Sequence, residues 1–377
     1  MKTVVRDIEN DIIDRLPKGK VIVILGPRRI GKTFLLDQIL KKINEEFLFI
    51  NGEDLMYNEL LQKRSIVSYE QLLGNKKLLI IDEAQKIQNI GSVLKLMIDN
   101  IKGIKIIATG SSSFDLSNRV GEPLTGRQYI FILYPFAQSE LKEHEDFIST
   151  HSLLSQRLVF GSYPEVVFMK DRTDKTEYLL NIVNSYLMKD LLELENIKSS
   201  EKLYQLLKLL AFQIGSQVSF NELSVKIGLS VKTIERYLDL LSKVFVIFRL
   251  GAFSRNLRKE ISRSSKYYFY DNGIRNALIN NFNDVNLRDD IGKLWENYMI
   301  NERIKYQSYN YLFTNNYFWR TYDKQEIDWI EEKDGKISAY EFRYSDNKVK
   351  IPGGWKKNYP AAEYKVITKD NYLDFIT

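Results

Sequence analysis

One short stretch of the sequence holds residues whose types and spacing suit phosphate chemistry. GPRRIGKT, residues 26–33, fits the pattern G-x-x-x-x-G-K-[ST]. The backbone N–H groups of such a loop wrap phosphate oxygens, and the helix that follows presents its positive end to them. Lys32 is expected to reach the β- and γ-phosphates, and the Thr33 hydroxyl to ligate Mg²⁺. The pattern predicts an ATP site with Mg²⁺, formed by Gly26, Pro27, Arg28, Arg29, Ile30, Gly31, Lys32, Thr33 and Phe34.

A second signal follows the apolar segment LLII, which ends in two adjacent carboxylates. Asp82 is expected near the Mg²⁺, and Glu83 is expected to polarise the water that attacks the γ-phosphate. Two solvated acids at a strand end are the alternative interpretation. The next strand ends in ATGSSS, where Thr109 or Ser111 either holds the attacking water, senses the γ-phosphate, or only forms a turn.

Two arginines follow in SNRVGEPLTGRQ, namely Arg119 and Arg127. An arginine held over the γ-phosphate of a neighbouring subunit would neutralise charge in the transition state. Arg127 is the preferred candidate because the strand YIFILY comes directly after it and fixes its position. An ordinary surface arginine is the alternative. If Arg127 acts in trans, the chain forms a homo-oligomer, either a ring such as a hexamer or a helical assembly.

A third group of candidate residues consists of carboxylates near the C-terminus. Antiparallel pairing across the turn at Asp334-Gly335 would bring Asp328, at the end of one strand, beside Glu341. With Glu296 they would form a nuclease-like Mg²⁺ site. A lysine is expected two residues after the glutamate, but Arg343 stands there and cannot act as a base near neutral pH. Lys348 or Lys350 could substitute, so cleavage, a degenerate nucleic-acid-binding module and a purely structural role all stay open.

Composition limits the classes of protein that this chain can belong to. Its 377 residues are 44% hydrophobic and 28% charged, with a net charge of +6, which suits two or three globular domains. No apolar run approaches the roughly 20 residues that span a bilayer, and the N-terminus lacks a secretory apolar region. The absence of cysteine excludes disulfides, and with two histidines any metal should be bound through oxygen. We therefore expect a cytoplasmic protein without a membrane partner.

Short apolar strands alternate with amphipathic helices between residues 20 and 133, a pattern typical of a doubly wound α/β fold. VIVIL, FLFIN, LLIID, KIIATG and YIFILY each have the composition of a strand buried in a parallel sheet. The periodicity then becomes helical, and the last hundred residues are rich in strands. We expect four parts: a P-loop ATPase core at 1–138, a helical lid-like region at 139–200, a winged helix at 201–270 and a nuclease-like α/β domain at 271–377.

The winged-helix prediction rests on VSFNELSVKIGLSVKTIERYLDLLSKVFVIFRL. Helices are expected at 221–227 and 231–243, with Ser230 capping the second, and the strands VIFRLGAF and SKYYFYD would form the wing. From Val231 to Lys266 nine basic residues face three acidic ones, an excess that suits a polyanion. Structural or protein-docking roles are the alternatives. The residues expected to contact nucleic acid are Lys232, Arg236, Arg255, Arg258, Lys259 and Arg263.

Taken together, these segments resemble a large prokaryotic family of AAA-like ATPases with a C-terminal domain long of unknown function. The resemblance is carried by GPRRIGKT, LLIIDEAQKI, ATGSSSFDL, LTGR with YPFAQSEL, and GSYPEVV, and it continues through IGKLWENYMINE and EIDWIEEKDGKISAYEFR. It implies ATP binding and hydrolysis, a winged-helix segment and a C-terminal domain similar to the restriction-endonuclease fold.

The sequence therefore predicts an Mg²⁺-dependent AAA-like ATPase that acts on nucleic acid, with DNA as the expected polymer. Two alternatives stay open. One is a switch or scaffold, in defence or stress signalling, whose assembly ATP controls; the other is an active ATP-dependent nuclease.

Overall fold

The computed structural model describes residues 3–111, 124–187, 200–254, 265–345 and 349–377, and it divides into two compact units. The first unit is Met1–Tyr134 with Lys243–Phe245, and the second is Pro135–Ser242 with Val246–Thr377. Of the boundaries expected from the sequence, the one after residue 138 lies close to the division between the units. The boundaries expected after residues 200 and 270 both fall inside the second unit.

The first unit contains a five-stranded parallel sheet with the order β2-β3-β4-β1-β5. Its strands are β1 (Val21–Leu25), β2 (Phe47–Asn51), β3 (Leu78–Asp82), β4 (Lys105–Gly110) and β5 (Gln128–Ile132). Its helices are α1 (Glu9–Arg15), α2 (Lys32–Ile43), α3 (Leu55–Gln62), α4 (Ile66–Leu73) and α5 (Ile90–Asn100). The α/β core with a parallel sheet is as predicted.

Position in the sheet explains which strands are buried. The inner strands β1 and β3 are buried at every residue, and β4 is buried after its first. β2 and β5 were expected to be buried as well, but they lie at the two edges of the sheet, where Phe49 is 38% exposed and Ile130 is 53% exposed. Their apolar composition does not reveal this, because an edge strand lacks a neighbour on one side.

The sheet order brings three strand ends together. In a parallel sheet all carboxyl ends lie at the same edge, which is where ligands bind in open α/β folds. The loop at residues 26–31 follows β1, Asp82 ends β3, and β4 runs between these two strands. The residue at the end of β4 therefore lies between the loop and Asp82.

The second unit begins with helices and ends in a sheet. Its helices are α6 (Gln138–Leu141), α7 (Phe147–Phe160), α8 (Pro164–Phe168), α9 (Arg172–Asn181), α10 (Ser200–Phe212), α11 (Phe220–Ile227), α12 (Val231–Lys243), α13 (Asn272–Leu278), α14 (Ile291–Tyr309), α15 (Gly353–Asn358) and α16 (Leu373–Ile376). The two helices predicted at 221–227 and 231–243 are present as α11 and α12. Gly228, with φ of 69°, ends the first helix, and Ser230 Oγ accepts from the Thr233 N–H at 3.1 Å at the start of the second.

Six strands form one sheet in the order β11-β10-β9-β8-β6-β7. They are β6 (Ile247–Ala252), β7 (Ser265–Phe269), β8 (Asn315–Arg320), β9 (Glu326–Lys333), β10 (Lys336–Phe342) and β11 (Glu363–Ile367). The antiparallel pair β6–β7, expected as a separate wing, joins the C-terminal strands because β6 pairs in parallel with β8. The sheet therefore crosses the boundary expected at residue 270. Phe253, Trp319, Ile327, Ile330, Ala339 and Trp355 form a buried cluster in this unit.

The hairpin that was expected to align the C-terminal carboxylates is present. Asp334 and Gly335 have φ values of 51° and 75°, the two positive values that a tight type I′ turn requires. β9 and β10 are antiparallel, with Trp329 opposite Tyr340. Continuing this register by one residue places Asp328 opposite Glu341, on the same face of the sheet. Asp328 is the third residue of β9 rather than the last residue of a strand.

Candidate functional site

Close packing dictates glycine at the first position of the P-loop. A β-carbon on Gly26 would lie 2.2 Å from the carbonyl oxygen of Leu133 and 2.6 Å from Ile30 Cδ1, so no other side chain fits. Gly31, with φ of 87°, turns the chain into α2, which starts at Lys32. The loop therefore ends at a helix N-terminus, as anion binding requires.

Lys32 lies over this loop. It is 6% exposed, and its Nζ donates to the carbonyl oxygens of Gly26 and Pro27, both at 2.9 Å. Of the other residues expected to contact ATP, Ile30 is buried, Arg28 is half-buried, and Arg29 and Phe34 are exposed. At least two of the groups that hold the ammonium at the start of α2 are thus neutral carbonyls.

The Thr33 hydroxyl and the acid at the end of β3 are brought into contact. Thr33 Oγ1 donates to Asp82 Oδ2 at 2.8 Å. Thr109 Oγ1 donates to the other oxygen, Asp82 Oδ1, and accepts from the Glu83 N–H at 3.2 Å. Thr109 is fully buried, so its hydroxyl orients Asp82 and Glu83. A hydroxyl and a carboxylate side by side are oxygen ligands of the kind that Mg²⁺ takes together with phosphate oxygens and water.

Gln85 is a site residue that was not predicted from the sequence, although it lies in the segment LLIIDEAQKI two residues after Glu83. Its Nε2 donates to Glu83 Oε2 at 2.5 Å and to Ser111 Oγ at 3.0 Å. Gln85 belongs to a 3₁₀ turn, Ala84–Lys86, which Glu83 precedes with φ of 52°. The turn directs the amide back to the carboxylate two residues earlier. That spacing on a tight turn was the signal available in the sequence.

Arg127 lies at the amino ends of the strands, whereas the P-loop lies at their carboxyl ends. Its carbonyl oxygen accepts from the Val21 N–H at 2.8 Å, at the beginning of β1, whereas the P-loop follows the end of that strand. β1 has five residues with a rise of about 3.3 Å each, so roughly 16 Å separates its beginning, beside Arg127, from its end, where the P-loop starts. The Arg127 side chain is 42% exposed, and its Nε pairs with Asp99 Oδ1 at 2.6 Å. Arg127 is therefore not placed to reach the P-loop of its own chain.

Several expected site residues lie outside the part of the chain that the structure describes. They are Arg119, Arg255, Arg258, Lys259, Arg263 and Lys348. The two remaining residues expected to contact nucleic acid, Lys232 and Arg236, are both exposed on α12. Glu235 and Asp239 are exposed on the same helix, so these four side chains carry no net charge.

The predicted carboxylate centre is only partly as expected. Glu296 lies on α14, Asp328 on β9 and Glu341 on β10, and both strand residues are buried. Yet within the described ranges, no group of three or more His, Asp or Glu side chains is arranged to hold a metal ion. The Mg²⁺ ligand set of Glu296, Asp328 and Glu341 therefore stays a prediction. Each of the three carboxylates has a protein partner.

The partners of these carboxylates are specific groups of the chain. Glu296 Oε1 accepts from Tyr268 Oη at 2.5 Å and from Lys266 Nζ at 3.2 Å. Asp328 Oδ2 accepts from the Phe342 N–H at 2.9 Å. Glu341 forms an ion pair with Arg343, the residue found where a lysine was expected.

Burial and mutual repulsion shift the protonation of the two strand carboxylates. Burial, together with the negative charges of Glu296 and Glu341, raises the pKa of Asp328 well above its usual value. Burial raises the pKa of Glu341 to about 7; Arg343 opposes this rise, and the charge of Glu296 adds to it. Asp328 and Glu341 thus bind protons more readily than exposed carboxylates do, as expected for crowded acids in a buried position.

Lys266 corrects the charge count made from the sequence. It was counted with the surface basic run, but it is 1% exposed and pairs with Glu326 Oε1 at 2.5 Å as well as with Glu296. Burial alone would lower the pKa of Lys266, but the charges of Glu296, Asp328 and Glu326 outweigh burial and raise it. Lys266 is therefore a buried cation of the carboxylate centre, not part of a surface for polyanions.

Comparison with known proteins identifies similar domains along most of the chain. Residues 18–142 match the model of an AAA domain. Residues 151–285 match a domain of unknown function (DUF8612), and residues 291–373 match a second one (DUF4143). The resemblance to AAA-like ATPases is thus confirmed for the N-terminal domain, and the expected C-terminal domain of unknown function is present.

Two curated relatives show how far the similarity extends. An uncharacterized protein of Methanocaldococcus jannaschii is 28% identical over 279 residues, which cover 69% of this chain and 63% of the relative. The chain therefore spans less than two thirds of the length of that relative. An uncharacterized protein of Haemophilus influenzae is 26% identical over an alignment of 392 positions, which covers 94% of this chain and 92% of the relative.

Among solved structures, the RuvB Holliday junction branch migration motor of Thermotoga maritima is 17% identical, with coverage of 65% of this chain and 90% of that chain and a TM-score of 0.33. A signal transduction ATPase with numerous domains from Pyrococcus horikoshii is 16% identical, with coverage of 82% and 48% and a TM-score of 0.31. With scores this low, the function has to be argued from the residues of this chain. Within the described ranges, no helix has the length and apolar content that crossing a bilayer requires.

Proposed function

We propose that the protein is an Mg²⁺-dependent ATPase that acts on nucleic acid, with DNA as the expected polymer, and that it works as a homo-oligomer. The observation that carries this proposal is the chain of hydrogen bonds Thr33–Asp82–Thr109 beside the P-loop. Three elements far apart in sequence meet there at the carboxyl edge of one parallel sheet. A structural P-loop without nucleotide would not require a hydroxyl and a carboxylate to meet in this way.

The residues of the loop divide the work of binding. The N–H groups at the start of α2 and the Lys32 ammonium would hold the β- and γ-phosphates of ATP. Phosphate oxygens carry full negative charge, so they compete well against the neutral carbonyls of Gly26 and Pro27 for Lys32. Thr33 and Asp82 would hold Mg²⁺. When bound, Mg²⁺ would bridge the phosphates and neutralise their developing charge.

Glu83 is the proposed group that orients the attacking water. One of its oxygens accepts from Gln85, which fixes the direction of the carboxylate and leaves the other oxygen to accept a proton from water. Because Gln85 also donates to Ser111 at the end of β4, it links the carboxylate to the strand next to the P-loop. Gln85 is thus a positioning residue for Glu83.

Arg127 is proposed to act on a neighbouring subunit. Its place at the amino edge of the sheet, roughly 16 Å from the P-loop level, leaves a site in a second chain as the one it can serve. The ion pair with Asp99 would hold the arginine in position before assembly. The proposal therefore includes an oligomer in which each site is completed by the next chain.

Nucleic acid is the proposed partner because α11 and α12 form a helix–turn–helix followed by a hairpin whose connecting segment, 255–264, is basic. One observation favours the alternative of an ATP-controlled assembly switch. The four charged side chains exposed on α12 cancel, and the half-buried Lys243 adds one positive charge, so the excess of positive charge on this helix is small. A protein partner for α12 would fit this balance.

ATP hydrolysis measured with and without DNA separates these functions. We expect wild-type turnover to rise on addition of DNA and the stimulation to weaken as salt is added, because phosphate contacts release counterions. Lys32→Ala should abolish nucleotide binding, and Glu83→Gln should bind ATP without hydrolysing it. Hydrolysis that is unaffected by DNA and RNA would support the assembly switch. Normal hydrolysis by Glu83→Gln would remove Glu83 from the mechanism.

A further inference from the structure

The carboxylate centre of the second unit already contains a cation supplied by the chain. Lys266 projects from β7, and its Nζ lies 2.5 Å from Glu326 Oε1 and 3.2 Å from Glu296 Oε1. The ammonium also lies 5.2 Å from the centre of the Phe318 ring. With 1% of the residue exposed, Lys266 carries a buried charge, and the partners named above belong to the same chain. A buried ammonium is stable only where such partners compensate for lost hydration.

Arginines also pair with acids of the centre. Glu341 pairs with Arg343 through Oε1, while its buried Oε2 has no hydrogen-bond partner within the described residues, and Arg320 Nη1 lies 3.5 Å from Glu326 Oε2. Three positive side chains therefore pair with three of the four carboxylates, and the fourth, Asp328, accepts from a backbone N–H. A divalent ion would need two or more of these oxygens at coordination distance and would stand beside the like charge of Lys266.

We propose that the ammonium of Lys266 takes the place of a divalent cation at this centre, so that the C-terminal carboxylates neither bind Mg²⁺ nor support DNA cleavage. The centre then serves as a structural junction. Lys266 joins β7 of the hairpin after the helix–turn–helix to α14 and β9 through Glu296 and Glu326. This inference is independent of ATP hydrolysis, because it concerns residues of the second unit alone.

The test measures Mn²⁺ bound to the full-length chain without nucleotide, by electron paramagnetic resonance of free Mn²⁺. Three proteins are compared: wild type, Glu341→Gln, and the double variant Lys266→Met/Glu326→Gln. The double variant removes one positive and one negative charge, so the charge balance is kept while Glu296, Asp328 and Glu341 remain. Because Thr33 and Asp82 can also attract Mn²⁺, differences between the proteins, rather than totals, report on this centre.

We expect wild type and Glu341→Gln to bind the same amount of Mn²⁺. The double variant should bind one further Mn²⁺ per chain, and adding Glu341→Gln to it should remove that ion. Mn²⁺ binding by wild type that disappears in Glu341→Gln would overturn the proposal, since Lys266 would then stand beside a metal. A folded double variant with no additional ion would overturn it as well, because the ammonium would not be what excludes the metal.

If the double variant does not fold, as judged by circular dichroism, the comparison of wild type with Glu341→Gln still decides. A plasmid-nicking assay with Mg²⁺ and with Mn²⁺ provides a second measurement on wild type. We expect no nicking. Nicking that is lost in Glu341→Gln would contradict the proposal.

Discussion

Replacing Thr109 by valine removes one hydroxyl and keeps the shape of the side chain, which makes it a sharp test of the P-loop site. The Thr109 hydroxyl is fully buried, donates to Asp82 Oδ1 and accepts from the Glu83 N–H. In Thr109→Val one oxygen of Asp82 loses its hydroxyl donor, and valine offers nothing in its place. The Glu83 N–H keeps a partner, because it also lies 3.2 Å from Asp82 Oδ1.

The size of the effect follows from these contacts. A hydrogen bond to a charged group contributes about 1.5–3 kcal/mol, so we take roughly 2 kcal/mol for the lost donor. That energy corresponds to a factor of about 30 in an equilibrium constant. Without this donor the Asp82 carboxylate is less firmly oriented toward Thr33. Because Asp82 and Thr33 would hold Mg²⁺ together, the gain in ATP affinity that Mg²⁺ provides should fall.

The assay is the binding of a fluorescent ATP analogue to the full-length protein, with Mg²⁺ and with EDTA. We expect Thr109→Val to reduce the gain in affinity from Mg²⁺ by about 30-fold and to leave binding in EDTA nearly unchanged. Thr109→Ser keeps the hydroxyl and should behave like wild type. Urea unfolding of each variant controls for loss of the fold.

A different pattern would refute the reasoning. If Thr109→Val binds ATP with Mg²⁺ as tightly as wild type but does not hydrolyse it, Thr109 acts on the attacking water instead of through Asp82. If both binding and hydrolysis stay at wild-type levels, the hydrogen bond to Asp82 contributes to neither ATP binding nor ATP hydrolysis.

Three further outcomes follow from single contacts. Gln85→Leu should lower the rate of ATP hydrolysis by roughly tenfold at unchanged ATP affinity, because Glu83 loses the donor that directs its carboxylate; equal rates in a single-turnover experiment would contradict this. Arg127→Ala subunits mixed with wild type should reduce ATP turnover by more than their fraction of the mixture. Asp99→Asn, which removes the carboxylate partner of Arg127 but keeps the arginine, should have a weaker effect. Turnover that falls in proportion to the variant fraction would exclude action in trans. Burial raises the pKa of Asp271 to about 6 from 3.8, so its contribution to stability is fully present below pH 3.8 and is lost as the pH rises through about 6. Against Asp271→Asn, wild type should lose roughly 3 kcal/mol of unfolding free energy between about pH 4 and about pH 7 in urea titrations, and a constant difference would contradict the buried carboxyl.

Local patterns were sufficient to predict the elements of the ATP site. The P-loop, the strand before it and the acids after LLII are contiguous in the sequence, and each local rule agrees with the final fold. The Asp334-Gly335 turn likewise set the register that places Asp328 opposite Glu341. Features of this kind need only a few neighbouring residues, so a sequence without alignment can reveal them.

Features that depend on distant contacts could not be predicted in the same way. Lys266 lies 30 residues before Glu296 and 60 before Glu326, and its neighbours in the sequence suggested a surface basic run. That β6 and β7 belong to the C-terminal sheet depends on the pairing of Gly251 with Tyr317, which no local pattern encodes. The exposure of β2 and β5 likewise depends on strand order.

Two of the buried lysines, Lys32 and Lys266, illustrate why the partners of one ammonium can be replaced by a ligand whereas those of another cannot. Lys32 is held by the carbonyl oxygens of Gly26 and Pro27, which are neutral dipoles, so an incoming phosphate with full charge gains more from the ammonium than these groups lose. Lys266, which is 1% exposed, is held by the carboxylates of Glu296 and Glu326, whose side chains are 13% and 30% exposed. A divalent ion gains little there unless the ammonium leaves, and removing one partner of a buried pair leaves the other charge uncompensated. The same type of side chain therefore belongs to the proposed ATP site in the first unit and to a buried ion pair in the second.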